Sequence, residues 1–271
     1  MNKNPFLNVL ILLPILITGC GADTPTWNAK GDNAAIVNGK TLRGSNKMAH
    51  SVVALVTQEA NGQALCTGTL LDTATVLTAA HCLDHQPEHL LIVFKERLQT
   101  TSNGDSLNDS LGDSRREAQS YAQHPRWQGQ DPDGQGDVAL IHFEGGLPAG
   151  FHAVELAPRE VQLPKGTSVL FLGYGVTNGL THKGAGVLRS TSSQIIGASS
   201  PTEIISDGRD SSVCFGDSGG PAFVKIGGHY QQWGVASSVT SQACDEAIVH
   251  TLLKDYLGWI KSTAQRLKLK K

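Results

Sequence analysis

The sequence predicts an all-β protein, and two observations lead to this prediction. Short runs rich in Val, Ile, Leu and Thr recur along the chain with turn residues between them. No helical pattern of about 10 to 15 residues separates these runs, as it would in a fold that alternates strands with helices. The pattern therefore favours an antiparallel sandwich or barrel. The predicted strands cover residues 52–56, 75–78, 90–94, 138–143, 169–172, 221–226 and 234–239.

The end of the chain departs from this pattern. Apolar residues recur there at helical spacing, which predicts a C-terminal amphipathic helix at about 253–269. We expect its apolar face to pack on the protein core rather than on a membrane. The residues of that face are Leu253, Leu257, Ile260, Ala264 and Leu267.

The composition is that of a globular protein. The chain has 271 residues, of which 17% are charged, and a formal net charge of -2, so it is long enough to bury a core. Nucleic-acid binding normally requires a basic excess, which is missing, so we expect no nucleic-acid partner. The basic residues at 268–271 are interpreted as a solvated tail. We expect a monomer.

The first residues predict export. An apolar stretch at 9–17 follows a single lysine and is too short to span a membrane, so residues 1–19 are interpreted as a signal peptide. The sequence Ile-Thr-Gly-Cys at 17–20 resembles the lipobox of bacterial lipoproteins, which implies a lipid on Cys20. The alternative is an ordinary signal peptide cut a few residues later, with Cys20 removed. Residues 20–35 then form a tether or propeptide. The chain is predicted to be an exported bacterial protein, located in the outer membrane or, after release, in the periplasm or extracellular space.

Five cysteines leave one unpaired, and Cys20 is the one at the processing site. In an oxidising compartment the other four are expected to form two disulfides, because their spacings fit no zinc site. These four are Cys66, Cys82, Cys214 and Cys244.

A polar loop at 100–116 carries Asp105, Asp109 and Asp113, which offer a candidate calcium site. Their spacing matches no EF-hand loop, so a solvated loop is the favoured interpretation. We expect no metal and no cofactor.

Three side chains supply what amide hydrolysis needs. Ser218 is a nucleophile, His81 a base with a pKa near neutrality, and Asp137 a carboxylate that can orient this base. Their order along the chain, His, Asp and then Ser, differs from that of subtilisins and α/β-hydrolases.

The motifs around these residues carry a family resemblance. The sequence Gly-Asp-Ser-Gly-Gly-Pro at 216–221, downstream of Thr-Ala-Ala-His-Cys at 78–82, closely resembles the trypsin/chymotrypsin-like serine peptidases. The resemblance covers the chain from Ile36 to the terminal helix. It implies two perpendicular six-stranded antiparallel β-barrels, at about 36–150 and 151–252, with the catalytic triad between them. It also implies a serine endopeptidase that acts on proteins or peptides through an acyl-enzyme.

The resemblance assigns supporting roles as well. It implies an oxyanion hole made by the amides of Gly216 and Ser218, and a hydrogen bond from Ser237 to the triad carboxylate. It also pairs Cys66 with Cys82 and Cys214 with Cys244.

Activation is predicted at the sequence Ile-Val-Asn-Gly of residues 36–39, which resembles the family's mature N-terminus. After cleavage, the new α-ammonium of Ile36 would pair with Asp217. The preceding Ala34 and Ala35 differ from the usual Lys or Arg, so we hypothesise self-activation, which would also release the catalytic domain from Cys20.

The specificity pocket departs from the family pattern. Ser212 is predicted at its base, where an Asp would select Lys or Arg, and the usual Ser-Trp-Gly wall becomes Ser-Ser-Val at 237–239. Val239 and Ile248 would narrow the pocket, so small aliphatic residues are expected before the scissile bond. His250 near the pocket leaves an acidic preference open. Two alternatives to a peptidase are a catalytically inactive binding module of the same fold and an esterase that uses the same triad.

Overall fold

The computed structural model describes residues 36–42, 47–59, 62–98, 112–129 and 135–269. The predicted signal peptide, Cys20 and the tether lie outside the described residues, as do Asp105 and Asp109 of the polar loop. Across the described ranges, no helix combines the length and the apolar character needed to cross a membrane.

The described residues form thirteen strands and one α-helix. The strands are β1 (Lys40–Thr41), β2 (Val52–Glu59), β3 (Gly62–Leu70), β4 (Thr75–Thr78), β5 (Leu90–Val93), β6 (Arg115–Gln123), β7 (Ala139–Phe143), β8 (Ser168–Gly173), β9 (Arg189–Ser200), β10 (Glu203–Asp207), β11 (Pro221–Ile226), β12 (His229–Val239) and β13 (Ala247–Leu252).

Strands β2 to β7 close into the first barrel, in the order β2-β3-β4-β7-β6-β5, with β5 pairing back to β2. All of these pairings are antiparallel. The barrel closes around an apolar interior in which Val53, Leu55 and Ile92 are buried. Closure leaves neither β2 nor β5 as a free sheet edge.

Strands β8 to β13 form the second barrel, in the order β9-β10-β13-β12-β11-β8, and β8 pairs with β9 to close it. Phe171, Trp233 and Ile248 lie in its core. The short strand β1 also belongs to this sheet, because Lys40 and Thr41 pair with β9. Residues 36–42 therefore lie with the second barrel, whereas the sequence prediction had placed them in the first.

The prediction of an all-β fold with two six-stranded barrels and a C-terminal helix is confirmed. The helix α1 (Leu257–Leu269) follows a 3-10 turn at Leu253–Asp255, so the helical segment is divided rather than continuous from 253. Ile260 and Leu267 are buried against Leu77 and Leu140 of the first barrel, as the apolar spacing predicts. The helix thus returns from the end of the second barrel and packs on the first.

Candidate active site

A cavity of about 680 Å³ lies between the two barrels. Both barrels contribute side chains to it, including His81, Trp127 and Asp137 from the first and Ser218, Ser237 and Val239 from the second. The fold therefore brings the three predicted triad residues to one cleft, although they are far apart in the sequence.

Strand pairing explains why His81 and Asp137 meet. His81 follows β4 by three residues and Asp137 precedes β7 by two, and these strands are paired through Thr78 and Ala139. The carboxylate accepts two hydrogen bonds from His81: the backbone N–H donates to Oδ1 at 2.9 Å, and Nδ1 lies 2.9 Å from Oδ2. Contact at two points fixes the imidazole ring relative to the carboxylate.

The second barrel supplies a further partner for this pair. The Ser237 hydroxyl donates to Asp137 Oδ2 at 2.5 Å. Burial alone would raise the pKa of Asp137, but the charge of His81, its hydrogen bonds and the bond from Ser237 hold that pKa below its ordinary value. Burial likewise opposes charging of His81, but the Asp137 carboxylate, with a contribution from Asp84, raises the pKa of His81 above its ordinary value. The pair therefore favours an ionised carboxylate beside a more basic imidazole.

The loop that carries Ser218 is tied to the first barrel through Thr67 of β3. The Thr67 amide donates to the Ser218 carbonyl at 2.8 Å, and the Thr67 hydroxyl donates to the Gly216 carbonyl at 2.8 Å. Gly219 has a φ of 80°, and a Cβ at this position would overlap the Thr78 hydroxyl and the Thr67 carbonyl. Glycine is therefore required where the loop presses against β3 and β4.

The amides of Gly216 and Ser218 belong to this loop. Among the described residues, neither amide donates to a protein acceptor. Gly216 has a φ of 96°, in the region that favours glycine. Ser218 lines the cavity, and Gly216 directly follows Phe215, which also lines it.

Both predicted disulfides are present. Cys66 and Cys82, with Cα atoms 6.2 Å apart, join β3 to the turn that contains His81. Cys214 and Cys244, with Cα atoms 5.5 Å apart, join the nucleophile loop to the segment between β12 and β13. In the described ranges, the one cluster of metal-type ligands is Cys66, His81 and Cys82, and its two cysteines are bonded to each other, so the cluster is not a metal site.

Asp217 is fully buried beside the nucleophile. Its carboxylate accepts hydrogen bonds from the amides of Gly175 at 2.7 Å and Cys214 at 2.8 Å. Burial raises the pKa of Asp217 to about 7, although these amides and the charge of Arg189 act in the opposite direction. Ile36 is also fully buried and has a φ of 50°, which is unusual for a β-branched residue.

Two of the three predicted specificity residues lie elsewhere. Ile248 is buried in the core of the second barrel, and its neighbour Val249 lines the cavity. Ser212 is fully buried, does not line the cavity, and donates its hydroxyl to the Val213 carbonyl. Only Val239 lines the cavity as predicted.

His250, which we had expected near the pocket, lies in the second-barrel core. Its ring stacks on Phe171 with centroids 4.6 Å apart and meets the edge of Trp233. Burial lowers its pKa to about 3, so the ring is neutral at physiological pH. It offers no charge to an acidic substrate, and the acidic preference loses its basis.

Several cavity residues were missed by the sequence analysis. Trp127 lies with its ring centroid 6.4 Å from that of His81, and its indole N–H donates to Asp84 at 2.6 Å. Gln123 donates to the same Asp84 oxygen at 2.9 Å. Single residues of this kind belong to no recognisable motif. The remaining missed residues of the cavity wall are Ser199, Glu203, Val213, Phe215, Ala236 and Val249.

Comparison with known proteins agrees with this geometry. The family model described as Trypsin matches residues 37–260. Serine protease SP24D of Anopheles gambiae is 28% identical over 86% of this chain and 82% of its own length. Human chymotrypsin-like elastase family member 1 is 26% identical over 85% of this chain and 92% of its own. Human granzyme M is 27% identical over 83% and 89%, respectively.

Two closed barrels with a shared cleft define the chymotrypsin-like class of proteases. The chain belongs to the trypsin family and is a serine endopeptidase. The relatives named above are animal proteins, so they lend no support to the predicted bacterial origin, which stays a prediction.

Proposed function

We propose that Ser218, His81 and Asp137 form the catalytic triad of a peptide-bond hydrolase. The observation that carries the proposal is the hydrogen-bonded pair of His81 and buried Asp137, 2.9 Å apart, in the same cavity as Ser218. Ser218 Oγ attacks the peptide carbonyl while His81 accepts its proton. His81 then donates that proton to the departing amine, and water hydrolyses the acyl-enzyme by the same steps in reverse.

The amides of Gly216 and Ser218 would stabilise the negative oxygen of the tetrahedral intermediates. Their freedom from protein acceptors and the fixed backbone around Gly216 support this role. Loss of one such donor typically costs about 3 kcal/mol of transition-state stabilisation. Ser237 is assigned to hold Asp137, since its hydroxyl contacts the oxygen that faces His81.

The side chain before the scissile bond would lie beside Val213 and Val239. Both valines line the cavity, and no lysine, arginine or histidine other than His81 lines it within the described residues. A valine wall favours small aliphatic side chains over bulky ones. Ser212 and Ile248 do not line the cavity, so they are not assigned to this selection.

The chain is further proposed to be made as a zymogen. Cleavage before Ile36 would create an ammonium able to pair with Asp217, a buried carboxyl that has no salt bridge among the described residues. Cleavage after Ala35 fits the preference for small residues, which supports self-activation. It would also release the domain from a lipid on Cys20, so we propose an exported protein that is held at the membrane as a zymogen and is active once released.

Of the alternatives, the esterase would use the same atoms and the same cleft. An inactive binding module would have no need for the paired His81 and Asp137, which argues against it.

The decisive experiment incubates protein that begins at Ile36 with a diverse peptide library and sequences the products. We expect cleavage after Ala, Val and similar residues, and its loss in Ser218→Ala. Cleavage that persists in Ser218→Ala would disprove the triad. Turnover of small acyl esters without turnover of peptides would favour the esterase.

Val239→Gly is expected to broaden the range of side chains that the enzyme accepts before the scissile bond. Removing the valine side chain opens the pocket wall, so kcat/KM for Phe before the scissile bond should rise relative to Ala by at least about tenfold, within the range that a few methylene groups provide. Val224→Ala, on β11 and outside the cavity, is the matched control and should leave this ratio unchanged. An unaltered ratio in Val239→Gly would place the substrate side chain elsewhere.

A further inference from the structure

Glu203 is a buried carboxylate in the wall of the active-site cavity, and the triad does not use it. It begins β10, directly after the tight turn from β9, and only 7% of its surface is exposed. The residues that line one cavity with His81 and Ser218 include Ser238, Val239, Val249, Ser199 and Glu203. A peptide bound at the nucleophile therefore shares one cavity with this carboxylate.

The carboxylate has polar partners but no cationic one. Its Oε2 accepts a hydrogen bond from the Ser199 hydroxyl at 2.9 Å and a longer one from the Ser200 hydroxyl at 3.4 Å. Among the described residues, no lysine, arginine or histidine forms a salt bridge with it. Burying a carboxylate with so little compensation is costly unless a cation arrives from outside.

The charges of the residues that line the cavity also favour a cationic ligand. Its ionisable lining residues in the described ranges are His81, Asp137 and Glu203, and the first two are paired with each other. Glu203 is thus the carboxylate whose charge is left for a ligand. Ser238 lines the cavity with a short, exposed side chain, so it does not block a substrate side chain from reaching Glu203.

From this arrangement we propose that Glu203 binds the Lys or Arg side chain of a peptide substrate. The basic residue is one that does not directly precede the scissile bond, since that residue lies beside Val213 and Val239. The inference rests on the proposed peptidase function and adds a second requirement to it: a small residue at the cut and a cation at a distance from it. Val249 and Ser199 would line the path of the cation's aliphatic stem.

The test uses internally quenched peptides with Ala before the scissile bond. Lys, norleucine or Glu is placed in turn at each other position. In the wild-type protein we expect kcat/KM to be at least about tenfold higher for Lys than for norleucine at one position, and lowest for Glu. In Glu203→Gln, which keeps an oxygen for the serine hydroxyls, the Lys to norleucine ratio should fall to about twofold or less.

Glu117→Gln serves as the matched control. Glu117 is an exposed glutamate on β6 that pairs with His89 outside the cavity, and its loss removes the same charge. This variant should keep the wild-type ratio. If the ratio fell equally in both variants, it would report net charge rather than recognition by Glu203, and the proposal would be overturned.

A binding measurement separates this inference from the function on which it rests. Ser218→Ala protein, with and without Glu203→Gln, is titrated with the fluorescent Lys, norleucine and Glu peptides. Tighter binding of Lys peptides that depends on Glu203 would support the site even if no peptide is cleaved, and the failure would then belong to the proposed peptidase function. Equal affinity for all three peptides in the Ser218→Ala protein, or no Lys preference in wild-type turnover, would reject the cation site.

Discussion

Asp137→Asn is expected to lower kcat by about 10⁴-fold while the protein stays folded. The Asp137 carboxylate accepts hydrogen bonds from the His81 backbone and side chain and from Ser237. An asparagine amide can present an N–H group to His81 Nδ1, which places the imidazole proton on the nitrogen that must accept the proton of Ser218. The measurement is kcat for an Ala peptide at pH 8, with the melting temperature as a check of folding.

Asp72→Asn is the matched control for this variant. Asp72 is paired with Lys268 of α1, outside the cavity, so kcat should stay within about twofold of wild type.

The pH profile of the Asp137→Asn variant adds a second readout. His81 acts as a base in its neutral form, so activity falls as pH drops through its raised pKa. Removing the Asp137 charge lowers that pKa, and the acidic limb of any residual activity should move to lower pH. An acidic limb at unchanged pH would show that a group other than His81 causes the loss of activity.

Cleavage before Ile36 is expected to raise kcat/KM by about 10² to 10³-fold, the magnitude associated with one oxyanion-hole donor. Asp217 lies between Gly216 and Ser218, whose amides would bind the oxyanion, so a partner for its carboxylate steadies both. The comparison is between uncut chain with Ala35→Pro, to block cleavage, and protein that begins at Ile36. Equal activity of the two forms would argue against a zymogen.

Stability should follow pH with opposite signs in these two forms. In the uncut chain the pKa of Asp217 is raised from 3.8 to about 7, so the stabilising contribution of its neutral form is present below about pH 4 and is lost as pH rises toward 7. Pairing with the Ile36 ammonium should lower that pKa, so in the cut form the ionised, paired carboxylate is the stabilised state. Its contribution is present above about pH 4 and is lost only as pH falls below that value. Melting temperatures across this range measure the difference.

The sequence predicted the strands whose apolar runs are continuous, and it missed those that are not. The runs at 75–78 and 221–226 coincide with β4 and β11. By contrast, β6 and β9 are long strands rich in polar residues, because much of their surface faces solvent. Their place in the barrels comes from pairing with distant strands, and no local pattern records such pairing.

The residues of the candidate site also divide into those that a local motif indicates and those that no local motif indicates. The sequence marked His81, Asp137 and Ser218 as candidates because each stands in a motif with its own neighbours, and the fold places all three in one cavity. The disulfide pairs followed from the resemblance to the family. The pocket prediction named Ile248, whereas its neighbour Val249 lines the cavity. Which of the two adjacent residues lines it depends on how β13 packs in the second barrel, and no local pattern records this packing. Glu203 had no signal at all, since its importance arises only from the cavity that reaches it.

The position of Thr67 has a consequence for how the enzyme becomes competent during folding. This residue of the first barrel holds the Ser218 and Gly216 carbonyls, and its hydroxyl also accepts the amide of Tyr174 at the end of β8. Its hydrogen-bond partners on the nucleophile loop lie about 150 residues further along the chain, so these bonds require parts of both barrels to be in contact. A chain in which one barrel has not folded would lack both the hydrogen bonds of Thr67 and the cleft between the barrels, so we expect no proteolysis before both barrels are complete.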